Sequence, residues 1–145
     1  MLRAAGQRGA LDLEADDAQT LQQVDACSGA LMLVPRAAFD AVDGWDAGYR
    51  LHVEDLDFCR RLREAGFDVA VANDVPVLHH RGVSSRTRPL FVEWHKHRGL
   101  WRYWRRFEGR GAAALLAPAV ALVLLARLGL VAMRIAVGRL AGRRR

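Results

Sequence analysis

Acidic side chains all but disappear from the back of this 145-residue chain: residues 91–145 hold 2 Asp/Glu against 12 Lys/Arg, whereas residues 1–90 hold 14 against 10. The net charge of +6 therefore conceals a mildly acidic front and a strongly basic rear. Such a rear usually points to nucleic acid. Here, however, the positive charge flanks an apolar run, the arrangement expected at an anionic membrane surface, so membrane rather than nucleic acid is the expected partner. Cysteine is scarce as well. Cys27 and Cys59 both fall in segments expected to be buried and lack metal-ligand spacing, which argues against a disulfide scaffold and fits a reducing compartment. Met1 to Gln23 contains no apolar run of signal-peptide length, so no secretory signal is expected there. With 52% hydrophobic residues, one globular unit is the ceiling for a chain of this size.

Residues 1–23, rich in Ala, Gly, Gln and Asp without a sustained period, read as a poorly structured lead-in. The apolar run VDACSGALMLV, Val24 to Val34, predicts a buried strand interrupted at Ser28 and Gly29, where another backbone or a ligand can approach closely. Pro35 ends it. Two helical turns follow over Arg36 to Val42, and Asp43-Gly44 turns the chain. A helix is expected over Glu54 to Ala65, with Leu56, Cys59 and Leu62 on one stripe widened by Phe58 and Ala65, and Gly66 as its stop. Phe67 to Ala72 reads as a second strand and Val75 to Leu78 as a short third one, before the polar loop HHRGVSSRTRP.

After Pro89, FVEWHKHRGLWRYWRRF predicts a helix in which Phe91, Trp94, Trp101, Trp104 and Phe107 alternate with basic residues. Aromatic rings mixed with arginine suit a membrane interface. A core-facing aromatic stripe with a solvated basic back, or nucleic-acid stacking, would use the same residue types. Gly109 and Gly111 separate this helix from an apolar run. Ala112 to Ala126 alone gives roughly 22 Å of helix, short of a hydrocarbon core of about 30 Å. Extended through Arg127 to Met133 it reaches roughly 33 Å, because an arginine near one end can snorkel. Spanning and lying in the membrane plane both stay open.

The stretch that organises the chain is GWDAGYRLHVEDLDFC, Gly44 to Cys59, in which the pair Glu54-Asp55 stands ahead of a helix and ten residues after a Gly-Trp-Asp turn. Read alone, such a pair is most often a helix cap, where a carboxylate satisfies free N–H groups and the dipole favours its charge. The whole pattern resembles family 2 glycosyltransferases, in which Gly-Phe-Asp and an aromatic patch precede Glu-Asp and a helix ending in Arg. Two further segments share the resemblance. CSGALMLVPR is similar to the family's Ser/Gly-Ala turn and apolar strand before Arg, and LHHRGVSS is similar to its His-x-Gly-Gly-x-Ser loop, with Arg81 in place of the first Gly. The matches run from about Val24 to Phe107 in the family's order.

The resemblance implies an α/β fold: the C-terminal, acceptor-side part of a GT-A domain (residues 24–90), lacking the N-terminal nucleotide-binding half. A basic aromatic helix (residues 91–108) and a membrane-associated or transmembrane tail (residues 109–145) follow it. The family's metal-binding Asp-x-Asp should precede Val24 by roughly a hundred residues. Asp55-Leu56-Asp57 has that spelling but lies inside the helix-opening motif, so the chain is expected to be a fragment, a truncated product or one half of a split protein.

Sugar transfer needs a base for the acceptor hydroxyl and a cation for the departing diphosphate. The resemblance places the base on Asp55 beside Glu54, and assigns acceptor lining to Gly29, Ala30, Trp45 and Asp46. His79 or His80 would join the shell of a divalent ion, Mg2+ or Mn2+, held together with the missing half. The histidine pair could equally be a surface feature, and the Trp45-Asp46 turn could simply pack on the core. The implied partners are a nucleotide-sugar donor, a lipid-linked or glycan acceptor and a membrane, at the cytoplasmic face of a bacterial cell envelope. A non-catalytic membrane module that retains the fold remnant is the alternative.

Overall fold

The computed structural model describes residues 19–77 and 88–142. Within them the chain runs β1 (Leu21–Gln23), α1 (Arg36–Ala41), α2 (Glu54–Glu64), β2 (Ala70–Ala72), α3 (Pro89–Phe107), a 3-10 turn (Gly111–Leu116) and α4 (Ala117–Gly142). The two strands form an antiparallel ribbon in the register Leu21↔Ala72, Gln22↔Val71 and Gln23↔Ala70. One bond beyond each end, Val24 N–H to Val69 O (3.0 Å) and Asn73 N–H to Thr20 O (2.9 Å), completes the ladder.

The apolar run 24–34 is therefore not a strand. It leaves the ladder at Val24 and crosses the core as irregular chain, with Val24, Ala26, Cys27, Met32 and Val34 partly buried against it. A strand needs a partner along its length, and the only ladder among the described residues belongs to residues 21–23, inside the stretch expected to be unstructured. Likewise Val75 to Val77 form no strand and are exposed; Leu78 lies outside the described residues.

The core gathers around the second helix. Ala38, Val42, Phe58, Cys59, Leu62 and Val69 are buried together, with Phe58 fully enclosed at the centre. The Trp45 ring stacks on Phe58 at 4.4 Å and Phe39 meets it at 5.7 Å. Gly44, at φ +62°, turns the chain between them; a Cβ there would lie 2.5 Å from the Phe39 ring. Gly66, at φ +86°, ends α2 where the sequence places the stop.

Helix α3 starts at Pro89, where a missing N–H costs nothing. Its ties to α2 are polar and aromatic. Arg60 bonds Glu64, the Tyr103 hydroxyl and Glu108, and its guanidinium lies 4.4 Å from the Phe107 ring centroid. Helix α4 follows and touches α3. The stretch Gly111–Gly138 is long and apolar enough to cross a membrane, with none of its most apolar window buried; Leu122, Val123, Leu125, Leu130, Met133 and Val137 are all exposed.

Candidate active site

Directly ahead of Glu54, two consecutive residues adopt left-handed backbone: His52 at φ 64° and Val53 at φ 71°. Neither is glycine, and a β-branched residue with positive φ is a genuine outlier. Each costs on the order of 1–3 kcal/mol and persists only where the surroundings impose it. Here they do. The Val53 side chain is buried, its carbonyl accepts the Asp57 N–H at 3.0 Å, and α3 presses on the turn through Gly99. A Cβ on Gly99 would stand 3.1 Å from the His52 carbonyl oxygen and 3.3 Å from Val53 Cβ. This imposed turn fixes the direction in which α2 begins, and hence where Glu54 and Asp55 point.

Asp55 sits in the first turn, partly exposed, and contacts the interrupted segment upstream. Its Oδ2 accepts the Gly29 N–H at 3.1 Å and its Oδ1 the Leu56 N–H at 2.9 Å. One bond to each oxygen fixes the carboxylate and leaves each a second lone pair. The two backbones lie close, and a Cβ on Gly29 would stand 3.5 Å from Asp55 Cβ, in ordinary van der Waals contact. Ala30 continues the turn, its N–H donating to Ser28 Oγ at 3.3 Å. Thus Asp55, Gly29 and Ala30, assigned separately from sequence, lie together. Beside them Glu54 keeps Oε2 buried without a hydrogen-bond partner.

Trp45 lies over Phe58 and retains 42% exposure. The Asp46 carboxylate, by contrast, is heavily engaged: it accepts from Gly48 N–H (2.8 Å), Arg102 Nε (3.0 Å) and Nη2 (2.9 Å), and Arg106 Nη1 (2.9 Å). Burial pushes its carboxyl up, but the Gly48 N–H, the Arg102 hydrogen bond and the charges of Arg102 and Arg106 outweigh it and hold it below its ordinary value. His79 and His80 lie outside the described residues, and among those described no group of three or more His, Cys, Asp or Glu could hold a metal ion.

Two features escaped sequence reasoning. Asp57 is fully buried and accepts from Arg61 Nε (2.6 Å), the Tyr49 hydroxyl (3.1 Å) and Arg106 Nη1 (3.2 Å). Burial first, and then the adjacent Asp57 charge, push the Tyr49 hydroxyl well above its ordinary range. The available signal was the i,i+4 spacing of opposite charges at 57 and 61 on the helix's apolar face. The second is a cleft of about 700 Å³ on the arginine side of α3, lined by Arg61, Arg98, Trp101, Arg102, Arg105 and Arg106 against Val42, Asp43, Asp46 and Gly48. A smaller one, about 540 Å³, adjoins it through Gly48 and Arg98. Asp55 lines neither.

The sequence profile described as "Glycosyltransferase like family 2" matches residues 7–105. A Mycobacterium tuberculosis (strain CDC 1551 / Oshkosh) protein named N-acetylglucosaminyl-diphospho-decaprenol L-rhamnosyltransferase is 35% identical over 99 residues, covering 61% of this chain and 32% of that protein. The protein of the same name from strain ATCC 25618 / H37Rv matches equally. Rhamnosyltransferase WbbL of Escherichia coli (strain K12) is 43% identical over 56 residues, 39% of this chain and 20% of its own length. The matched stretches thus span a third or less of these curated relatives. No solved structure matches.

Proposed function

The chain belongs to glycosyltransferase family 2, whose domain has a GT-A-like fold, and from that membership we propose that it is the acceptor-side part of an inverting transferase, with Asp55 as the base. Such an enzyme moves a sugar from a nucleotide sugar to a lipid-linked or polysaccharide acceptor during envelope glycan synthesis. The observation that carries this reading is the held, half-open carboxylate: Asp55 is fixed by Gly29 and Leu56 behind a strained turn, yet it is not sealed. A base must reach the proton it abstracts, and a positioned one is worth about 10²- to 10⁴-fold.

In this reading Glu54 buttresses Asp55, while Gly29 and Ala30 line the acceptor side. The exposed face of Trp45 meets a sugar ring. The Asp46 carboxylate would have to exchange an arginine for a sugar hydroxyl. A divalent cation, Mg2+ or Mn2+, enters only through His79 or His80 together with a nucleotide-binding half. The described residues supply no three-ligand group for such an ion. The apolar stretch Gly111–Gly138 would hold the site at the cytoplasmic face of the membrane, beside a lipid-borne acceptor.

Asp55→Asn tests the assignment in a protein that joins this chain to a nucleotide-binding half. Sugar transfer should fall by about 10²-fold or more with nucleotide binding nearly intact, and transfer at the unsubstituted rate removes Asp55 from the role. Transfer by the 145-residue chain alone is not expected. One observation favours the alternative of a non-catalytic membrane module: both clefts lie on the arginine side of α3, away from Asp55. Under that alternative Asp55→Asn changes nothing.

A further inference from the structure

The cleft between α3 and the 42–48 turn carries charge that the fold does not use. Five of its lining residues are arginines and two are aspartates, and with Asp57, which pairs with Arg61 and Arg106 from behind, the excess is two positive charges. Arg102 and Arg106 are committed to Asp46, and Arg106 also to Asp57. Arg98 and Arg105 are exposed and make no ion pair or hydrogen bond within the described residues. Arg61 lines the same cleft, is only 8% exposed, and has a buried Nη2 without a hydrogen-bond partner. A buried guanidinium N–H left unsatisfied beside two uncommitted guanidinium groups calls for an anionic acceptor.

We propose that this cleft binds phosphate groups, with Arg98 and Arg105 as their principal partners and Trp101 as its apolar wall. Arginine forks match phosphate oxygens bidentately, and the excess charge favours a dianionic or more highly charged group over a carboxylate. The position of α3 identifies two sources of that chemistry. The helix leads through the 3-10 turn straight into the apolar α4, so a phosphate in the cleft is close along the chain to the segment suited to a bilayer. It would come from the diphosphate of a lipid-linked acceptor or from the headgroup of an anionic phospholipid. The first source rests on the glycosyltransferase reading; the site itself does not.

The test is calorimetric titration of the full chain, in neutral detergent micelles, with inorganic pyrophosphate. Saturable binding is expected, weakened about a hundredfold in Arg98→Gln/Arg105→Gln, since two bonds to phosphate are lost and each charge-assisted one is worth roughly a factor of ten. Both side chains are exposed and have no ion pair or hydrogen bond among the described residues, so the variant should fold, and unchanged circular dichroism would establish that. The titration is then repeated in micelles doped with phosphatidylglycerol. An unchanged affinity assigns the cleft to diphosphate groups, and displacement of pyrophosphate by the dopant assigns it to headgroups. No saturable binding in undoped micelles, or equal binding by the double variant, overturns the proposal. Asp55→Asn must leave pyrophosphate binding unchanged, so the fates of the base and of the cleft are read separately.

Discussion

Replacing Asp57 by Asn should cost this chain far more stability than replacing Asp55, two residues away on the same helix. Asp57 is fully buried and its charge faces Arg61, whose side chain is 9% exposed. Removing one partner of such a pair strands the other, at about 3–5 kcal/mol, against about 0–1 kcal/mol for an exposed pair. Asn keeps a carbonyl for Tyr49 or Arg61, Arg61 retains the Val42 carbonyl, and Arg106 retains Asp46, so the loss should lie near 3 kcal/mol. With a urea m-value of about 2 kcal/mol/M, the unfolding midpoint then falls by about 1.5 M. Asp55→Asn disturbs two bonds at a partly exposed carboxylate, worth about 1 kcal/mol together, and should move the midpoint by about 0.5 M or less. Urea unfolding in neutral detergent, followed by tryptophan fluorescence, measures both. Asp57→Leu/Arg61→Met should regain most of the loss, because an apolar pair of similar volume strands no charge. Equal midpoints for the two single variants, or a double variant no better than Asp57→Asn, would refute the division between a sealed structural carboxylate and a held, accessible one.

The Asp46 carboxyl sits below its ordinary value of 3.8 when folded, so its contribution to stability is complete above pH 3.8 and is lost as pH falls through the lower folded value. Asp46→Asn should therefore be less stable than the unsubstituted chain at neutral pH, with the gap closing in acid; a gap constant from neutral pH to pH 3 would contradict the Arg102 and Arg106 pairing. Burial, and then the neighbouring Cys59, push the Cys27 thiol up to about 11. Because the thiolate is the reactive form, iodoacetamide at pH 8 should label Cys27 about tenfold more slowly in the folded than in the unfolded chain, as read by mass spectrometry.

Much of this architecture is visible in the sequence because it depends on local rules. Gly66 and Pro89 mark one helix end and one helix start, and the apolar spacing around Phe58 and Leu62 locates α2. Periodicity failed where charge took a core position. Leu56, expected in the stripe, is 40% exposed, whereas Asp57 and Arg61 are buried because each neutralises the other. Residues 24–34 look like a strand by composition, but strandhood depends on a distant partner that composition does not reveal. At the site, the Glu54-Asp55 pair and the Gly29-Ala30 turn were legible as motifs. The left-handed turn at His52 and Val53 was not, since neither residue type signals it; α3 imposes it from outside. The arginines of α3 read as headgroup-facing at a membrane or as the solvated back of a core-facing aromatic stripe. Arg102 and Arg106 instead turn inward to Asp46 and Asp57, and the cleft exists only because helix and turn meet.

Gly99 carries a lesson about tolerance. Three glycines stand inside the helices α3 and α4, and on propensity alone each weakens its helix by about 1 kcal/mol relative to alanine. At 129 and 138 a methyl group would meet nothing within 4 Å, so those positions are free to drift toward alanine and gain by it. At 99 the same methyl would stand 3.1 Å from the His52 carbonyl oxygen and 3.3 Å from Val53 Cβ, so the strained turn would have to yield by a few tenths of an ångström. Among these three helical glycines, variation is thus freest along the greasy end and tightest at the bare spot on the preceding helix, where the smallest residue keeps the proposed base aimed.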